Sequence, residues 1–184
     1  LELYVEGFSF EYESFRKEIE INNNYLPLDD FIELQSYCEE NFIDLGAYNG
    51  DTVLQKEKNC PDYTHITAVE PDFKTFKKLK ANTADIRNIE LVNACVSDKC
   101  GKALFNMKGG RNSSIGSGTE TECITVDSLN LNATFIKMDV EGEEISAVLG
   151  AKDTIIKNKP KMLISAYHRT EDLISIPETV LGIN

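Results

Sequence analysis

The sequence predicts an α/β fold, a doubly wound and mostly parallel sheet with helices on both faces. Three observations carry this expectation. From Phe42 onward, short apolar runs of strand length alternate with helical patterns. A glycine loop, Gly46-Ala47-Tyr48-Asn49-Gly50, follows the first run and opens a helix. Carboxylates, Glu70 and Asp139, close the second and fourth core strands, at the strand ends where such sheets hold ligands.

Residues 1–41 read as a short helical lead-in to a single domain spanning 1–184, whose core is 42–184. Phe10, Phe15 and Ile19 sit among charges at loose helical spacing. A better helix is expected over 28–40, capped by Asp29 or Asp30, with Phe31, Ile32, Leu34, Gln35 and Cys38 along one face. The core then predicts a strand at 42–45, a helix at 51–58, a strand at 65–69, a helix at 73–84 and a strand at 89–96. Right-handed crossovers make these strands parallel. The middle breaks the rhythm: 102–107 and 122–126 read as short strands around a Gly-, Ser- and Asn-rich stretch at 109–118. A β-hairpin excursion near 102–126 with a mobile tip is expected. A fourth core strand at 134–138, a helix at 143–157 stopped by Pro160, and a fifth core strand at 161–167 complete a sheet of order 3-2-1-4-5.

Bulk composition narrows the partners. Nineteen basic residues face thirty-one acidic ones, for a net charge of −12. A duplex-binding surface needs a basic stripe. The one local candidate, Lys74, Lys77, Lys78 and Lys80, reads as the wet face of a helix, so no nucleic-acid partner is expected. No apolar run approaches the ~20 residues of a membrane span, and no secretory signal opens the chain. No membrane partner is expected, and the location is read as cytoplasmic. The chain begins at Leu1 rather than Met, as a trimmed or partial product would. Its five cysteines, Cys38, Cys60, Cys95, Cys100 and Cys123, are odd in number and include no C-x-x-C. Neither a disulfide framework nor a zinc site is expected, and the cysteines read as reduced thiols.

The chemistry gathers at three places. Gly46 and Gly50 allow a sharp turn and close backbone approach by a ligand, but the dinucleotide fingerprint G-x-G-x-x-G is absent. Asp44, two residues before Gly46, can order the loop and favours a cationic ligand, a sulfonium over a pyrophosphate. Glu70 lies twenty residues beyond Gly50, at the spacing of a carboxylate that accepts both ribose hydroxyls. Pro71 shapes the turn after it, and Phe73 is placed to pack near an adenine. Asp139 ends the fourth core strand, which lies beside the first at the topological switch point. Glu143 and Glu144 read as acidic residues of a helix first turn. Asp139 and Glu141 read as functional.

In order, the motifs FIDLGAYNGDT, AVEP, IKMDVEGEE and ISAYHRTEDLISIP resemble the FkbM family of methyltransferases dependent on S-adenosylmethionine (SAM). The resemblance runs from about Tyr25 to Ile176. It implies a class I Rossmann-like fold that binds SAM, releases S-adenosylhomocysteine and usually methylates an oxygen of a sugar, glycan or polyketide-type hydroxyl. Carried over, Asp44, Gly46, Ala47, Tyr48, Gly50, Asp51 and Thr52 would line the methionine side, and Glu70 would bind ribose. Asn93, Ala94 and Ser97 would edge the adenine. Asp139 and Glu141 would stand at the methyl-transfer centre, with His168 near the acceptor. A full class I domain closes with an antiparallel strand pair. The fourteen residues after Thr170 are too few for a helix and two strands, so this pair is expected to be missing.

Asp139, Glu141 and His168 are the candidates for a general base on a hydroxyl acceptor. No metal is assigned, although the same three could hold a hard cation that acidifies the hydroxyl. The other histidine, His65, begins a strand and is expected far from the pocket. Two rival readings use the same features: an NAD(P)-dependent oxidoreductase or epimerase, and a SAM-binding module without catalysis. The acceptor and the oligomeric state are not legible in the sequence.

Overall fold

The computed structural model describes residues 39–106, 114–115 and 119–183. The described residues all belong to one compact unit. The helical spacing expected around 10–19, the helix expected over 28–40 except for its last two residues, and most of the expected tip at 109–118 lie outside the described residues.

A five-stranded parallel sheet forms the centre. It contains β1 (Asn41–Leu45), β2 (His65–Val69), β3 (Ile89–Val92), β8 (Phe135–Met138) and β9 (Lys161–Ile164). Their order is β3-β2-β1-β8-β9, which is the expected 3-2-1-4-5 arrangement of the core strands. Helices α1 (Asp51–Asn59) and α2 (Phe73–Asn82) connect the first three strands. Asp72 caps α2, its side chain accepting from the backbone N–H groups of Lys74 and Thr75. β1, β2 and β8 are buried along nearly their whole length, as central parallel strands must be. On one side, Phe42, Phe135, Ile66 and Ala68 pack with Val53 of α1 and Leu79 of α2. The Phe42 and Phe135 rings lie 5.1 Å apart, tilted at 53°.

The excursion is a second sheet, built from β4 (Cys95–Val96), β5 (Gly101–Asn106), β6 (Ser114–Ile115) and β7 (Thr119–Ile124) in the order β4-β7-β5-β6. β5 runs antiparallel to both β6 and β7, as the hairpin reading requires.

Four local expectations are corrected. The strand expected over 89–96 is two strands in two sheets. Between them Asn93 turns its side-chain amide onto the carbonyls of Glu70 and Pro71, at 2.7 and 3.1 Å, which takes the chain out of the central sheet. The helix expected over 143–157 is also two, α3 (Glu144–Leu149) and α4 (Lys152–Asn158). The carbonyl of Gly150 accepts the backbone N–H of Asp127, and the Asp127 carboxylate accepts those of Asp153 and Thr154, so Asp127 caps the second helix and fixes the break. The fifth core strand ends at Ile164 rather than at 167, which frees Tyr167 and His168 to turn across the strand ends. Finally, Cys95 and Cys123, opposite each other in the β4–β7 register, are joined by a disulfide. An odd cysteine count rules out complete pairing but not one bond. Among the other described cysteines, Cys60 is buried and Cys100 exposed, and neither is in a disulfide.

After β9 the described residues contain one further element, helix α5 (Asp172–Leu181), and no strand. No helix among the described residues is long and apolar enough to cross a membrane.

Candidate functional site

The glycine loop leaves the C-terminal end of β1. The backbone N–H groups of Gly46 and Ala47 both donate to the Val69 carbonyl at 3.0 Å, tying the loop to the end of β2. Gly46 has φ +77°, and a Cβ there would stand 1.9 Å from the carbonyl oxygen of Asp139. Glycine is therefore required by the approach of β8 as well as by the turn. Tyr48 holds a left-handed conformation at φ 49° without being glycine. Gly50, at φ +89°, faces Leu79 of α2 and Thr83, the residue that caps its C-terminus. Asp51 opens α1, its carboxylate accepting the Thr52 N–H at 2.8 Å, and the Thr52 side chain is buried.

Asp44 lies beneath this loop, fully buried. Lys137, its register partner on β8, donates to Asp44 Oδ1 at 2.8 Å and to the Gly46 carbonyl at 3.1 Å. Burial pulls the Lys137 pKa down, but the Asp44 carboxylate outweighs it and holds the ammonium above its ordinary range. Asp44 thus orders the loop, as expected, through a lysine that sequence reasoning passed over. A charge inside the apolar run Phe135–Met138 was the signal, since a buried ammonium requires a partner. Asp44 Oδ2 is buried and has no hydrogen-bond partner.

Glu70 is 7% exposed. Its carboxylate accepts the backbone N–H of Tyr48 at 3.0 Å and that of Asp72 at 2.8 Å, one on each oxygen. Burial pushes its pKa up to about 7, against the lowering effect of those two N–H groups. Pro71 carries the chain from Glu70 to the Asp72 cap. Phe73 is 51% exposed, with the Lys77 ammonium 4.5 Å from its ring centroid. Asn93 braces the turn after Glu70, and Ala94 is buried beside it. Ser97 belongs elsewhere in its contacts: its carbonyl packs on Gly150 and its hydroxyl meets Asp98.

The third group assembles at the end of β8. The Asp139 N–H donates to the Leu45 carbonyl at 2.9 Å, which places Asp139 beside the glycine loop. Glu141 and Gly142 then take positive φ, 57° and 95°. This turn is held by Glu144, whose Oε1 accepts the backbone N–H groups of Val140 and Gly142. His168 arrives from beyond β9. Its Nε2 lies 3.5 Å from Asp139 Oδ1 and 3.4 Å from Glu141 Oε2, and its Nδ1 lies 3.1 Å from Glu144 Oε1. Tyr167 donates its hydroxyl to both Asp139 oxygens at 3.0 Å. The three residues expected at the reaction centre are therefore together. His65 is at the opposite end of β2, 3.9 Å from Glu90. Glu144 and Tyr167 were missed. Glu144 carried only a helix-dipole signal, and nothing in the sequence brings Tyr167 back over β8.

The sequence matches the model of the methyltransferase FkbM domain over residues 44–178. No curated protein matches it. The structure resembles that of methyltransferase FkbM from Methylobacillus flagellatus KT, at TM-score 0.69 and 25% identity over 82% of this chain. This chain spans 39% of that protein. Fold likeness extends to a precorrin-6y C5,15-methyltransferase from Geobacter metallireducens GS-15, at TM-score 0.54, 14% identity, and coverage of 84% of this chain and 67% of the other. It extends also to the fibrillarin of Aeropyrum pernix, solved with natively bound S-adenosyl-L-methionine, at TM-score 0.52, 15% identity, and coverage of 85% and 61%. With the model match spanning both the glycine loop and the Asp139 turn, the chain belongs to the FkbM methyltransferase family.

Proposed function

We propose that the chain binds SAM across the C-terminal ends of β1 and β2 and transfers its methyl group to a hydroxyl oxygen of a sugar, glycan or other small-molecule acceptor. The observation that carries this is the contact between Gly46 and Asp139. It sets the candidate cofactor loop directly against the Asp139, Glu141 and His168 group.

The residues fit such a ligand. A carboxylate offers about four lone-pair sites. Glu70 uses two of them on backbone N–H groups, which leaves acceptors for two ribose hydroxyls. Asp44 Oδ2, buried without a partner, is an acceptor for the amino group of the methionine moiety. The exposed Phe73 ring offers a face for adenine. SAM, when bound, supplies an electrophilic methyl group on a sulfonium. The protein's part is to align the acceptor with that methyl and to manage the hydroxyl proton, which general-base help speeds by ~10²–10⁴-fold where it is used. His168, flanked by two carboxylates, is the first residue to test for that role.

A thermal-shift comparison separates cofactor classes: stabilisation by S-adenosylhomocysteine and not by NAD is expected, and the reverse would refute the reading. Methyl-donor turnover on a panel of sugar and glycan acceptors separates an enzyme from a silent SAM-binding module. With an acceptor in hand, His168→Ala is expected to lower turnover by at least tenfold, and an unchanged pH–rate profile would remove His168 from the chemistry. The Cys95–Cys123 bond bears on location, because disulfides persist where the surroundings oxidise. It weighs against the cytoplasmic expectation.

A further inference from the structure

We infer that Asp139, Glu141 and His168 form a divalent-cation site, of the kind that takes Mn²⁺ or Mg²⁺, on the acceptor side of the pocket. The inference rests on the methyltransferase reading for the purpose of the site but not for its existence. One donor atom from each of the three residues lies within 4.8 Å of the others. Around an octahedral ion with bonds of about 2.1 Å, neighbouring donors stand about 3 Å apart. His168 Nε2 is 3.5 Å from Asp139 Oδ1 and 3.4 Å from Glu141 Oε2, so small side-chain rotations close the set on one ion.

The surroundings are built for such a set. Behind His168, Glu144 is 1% exposed and puts Oε1 3.1 Å from Nδ1. His168 Nδ1 is buried and has no aligned hydrogen-bond partner, so Glu144 stands within reach of the ring as an ionic neighbour, and a small ring rotation would give it the place of a carboxylate behind a metal-ligating histidine. Glu144 Oε2 is itself buried and has no hydrogen-bond partner. Tyr167, donating to both Asp139 oxygens, holds that carboxylate in place. Three carboxylates thus converge on one imidazole in a partly buried space, an arrangement that a cation compensates. Two oxygens and one nitrogen suit the harder divalent ions. Three protein donors leave coordination positions open; with the ion bound, His168 is a ligand in place of a base, and an acceptor hydroxyl in an open position would lose its proton more readily.

The test is titration of Mn²⁺ into the full chain, read by loss of the free-ion electron paramagnetic resonance signal. S-adenosylhomocysteine binding is measured on the same preparations. One Mn²⁺ per chain is expected. Affinity is expected to fall at least tenfold in Glu141→Gln and again in His168→Gln, with both variants still binding S-adenosylhomocysteine. Mn²⁺ uptake that is absent, or the same in native protein and both variants, overturns the site. If uptake fails while S-adenosylhomocysteine binds, only the cation site falls. If Mn²⁺ binds as expected and S-adenosylhomocysteine does not, the site stands and the methyltransferase reading falls.

Discussion

With Glu70 at the ribose, as proposed, cofactor binding is expected to depend on pH near neutrality. Burial raises its pKa to about 7, while an exposed glutamate titrates near 4.5. A protonated carboxyl has one oxygen committed to its own proton and is a poorer acceptor for two ribose hydroxyls. If the ionised form alone binds well, the apparent Kd is the intrinsic Kd divided by the ionised fraction. At pH 6 that fraction is about one in eleven, so S-adenosylhomocysteine is expected to bind roughly tenfold more weakly than at pH 8, and at pH 5 roughly a hundredfold more weakly. Stability of the free protein moves the other way. A carboxyl raised on folding contributes stability that is complete below its unfolded pKa and is lost as pH rises through its folded value, here a loss of about 3 kcal/mol between pH 4 and pH 8. The assay is isothermal calorimetry with S-adenosylhomocysteine from pH 5 to 8.5, paired with Glu70→Gln. Glutamine cannot accept from both Tyr48 and Asp72, so one backbone N–H is left without its acceptor. The variant is expected to bind weakly and without pH dependence. A flat profile in the native protein would refute the joint reading of a raised pKa and a Glu70 that holds the ribose.

Three further outcomes are expected. Lys137→Met leaves the Asp44 carboxylate buried without its cation, which costs about 3–5 kcal/mol; an unchanged urea midpoint would show that the pair is not formed. Gly46→Ala places a Cβ 1.9 Å from the Asp139 carbonyl at a φ of +77°; S-adenosylhomocysteine binding is expected to be lost, with destabilisation of at least about 2 kcal/mol, and native-like binding would contradict the close approach of β1 and β8. The Cys95–Cys123 bond closes a loop of separation 28, worth about 3–4 kcal/mol by chain entropy; unfolding with and without reductant measures it, and coincident curves would show that the bond is absent.

What the sequence made legible follows from which forces are local. β1 and β2, each followed by its helix, were readable because apolar period and capping residues are neighbours in the chain. The position of Glu70 at the end of β2, beside the glycine loop, was readable because its spacing from the loop is set by one helix and one strand. The division of α3 from α4 was not, since the residue that causes it, Asp127, lies more than twenty positions away and acts through its side chain. The split at Asn93 has the same character, an amide reaching back to Glu70 and Pro71. Glu144 illustrates a subtler failure. Its charge suited a helix first turn, so the helix dipole explained it too early. Its buried side chain instead folds back on Val140 and Gly142 and stands behind His168.

The placement of the site follows from the order of the strands. In a parallel sheet every strand ends on the same edge, and β1 lies between β2 and β8. Whatever closes those three strands must therefore meet at one rim, and here Glu70, the glycine loop and Asp139 do so. Five of the ten positive-φ residues among those described stand at two of the same strand ends, Gly46, Tyr48 and Gly50 after β1 and Glu141 and Gly142 after β8. A left-handed conformation at a glutamate is unfavourable in isolation, yet Glu144 holds the Glu141 turn through two backbone N–H groups. The same glutamate touches His168. One buried carboxylate thus couples the shape of the turn to the position of the imidazole. A change at residue 144 is therefore expected to disturb Glu141 and His168 together, whereas a change at residue 70 is expected to disturb the glycine loop through Tyr48 and to leave that pair in place.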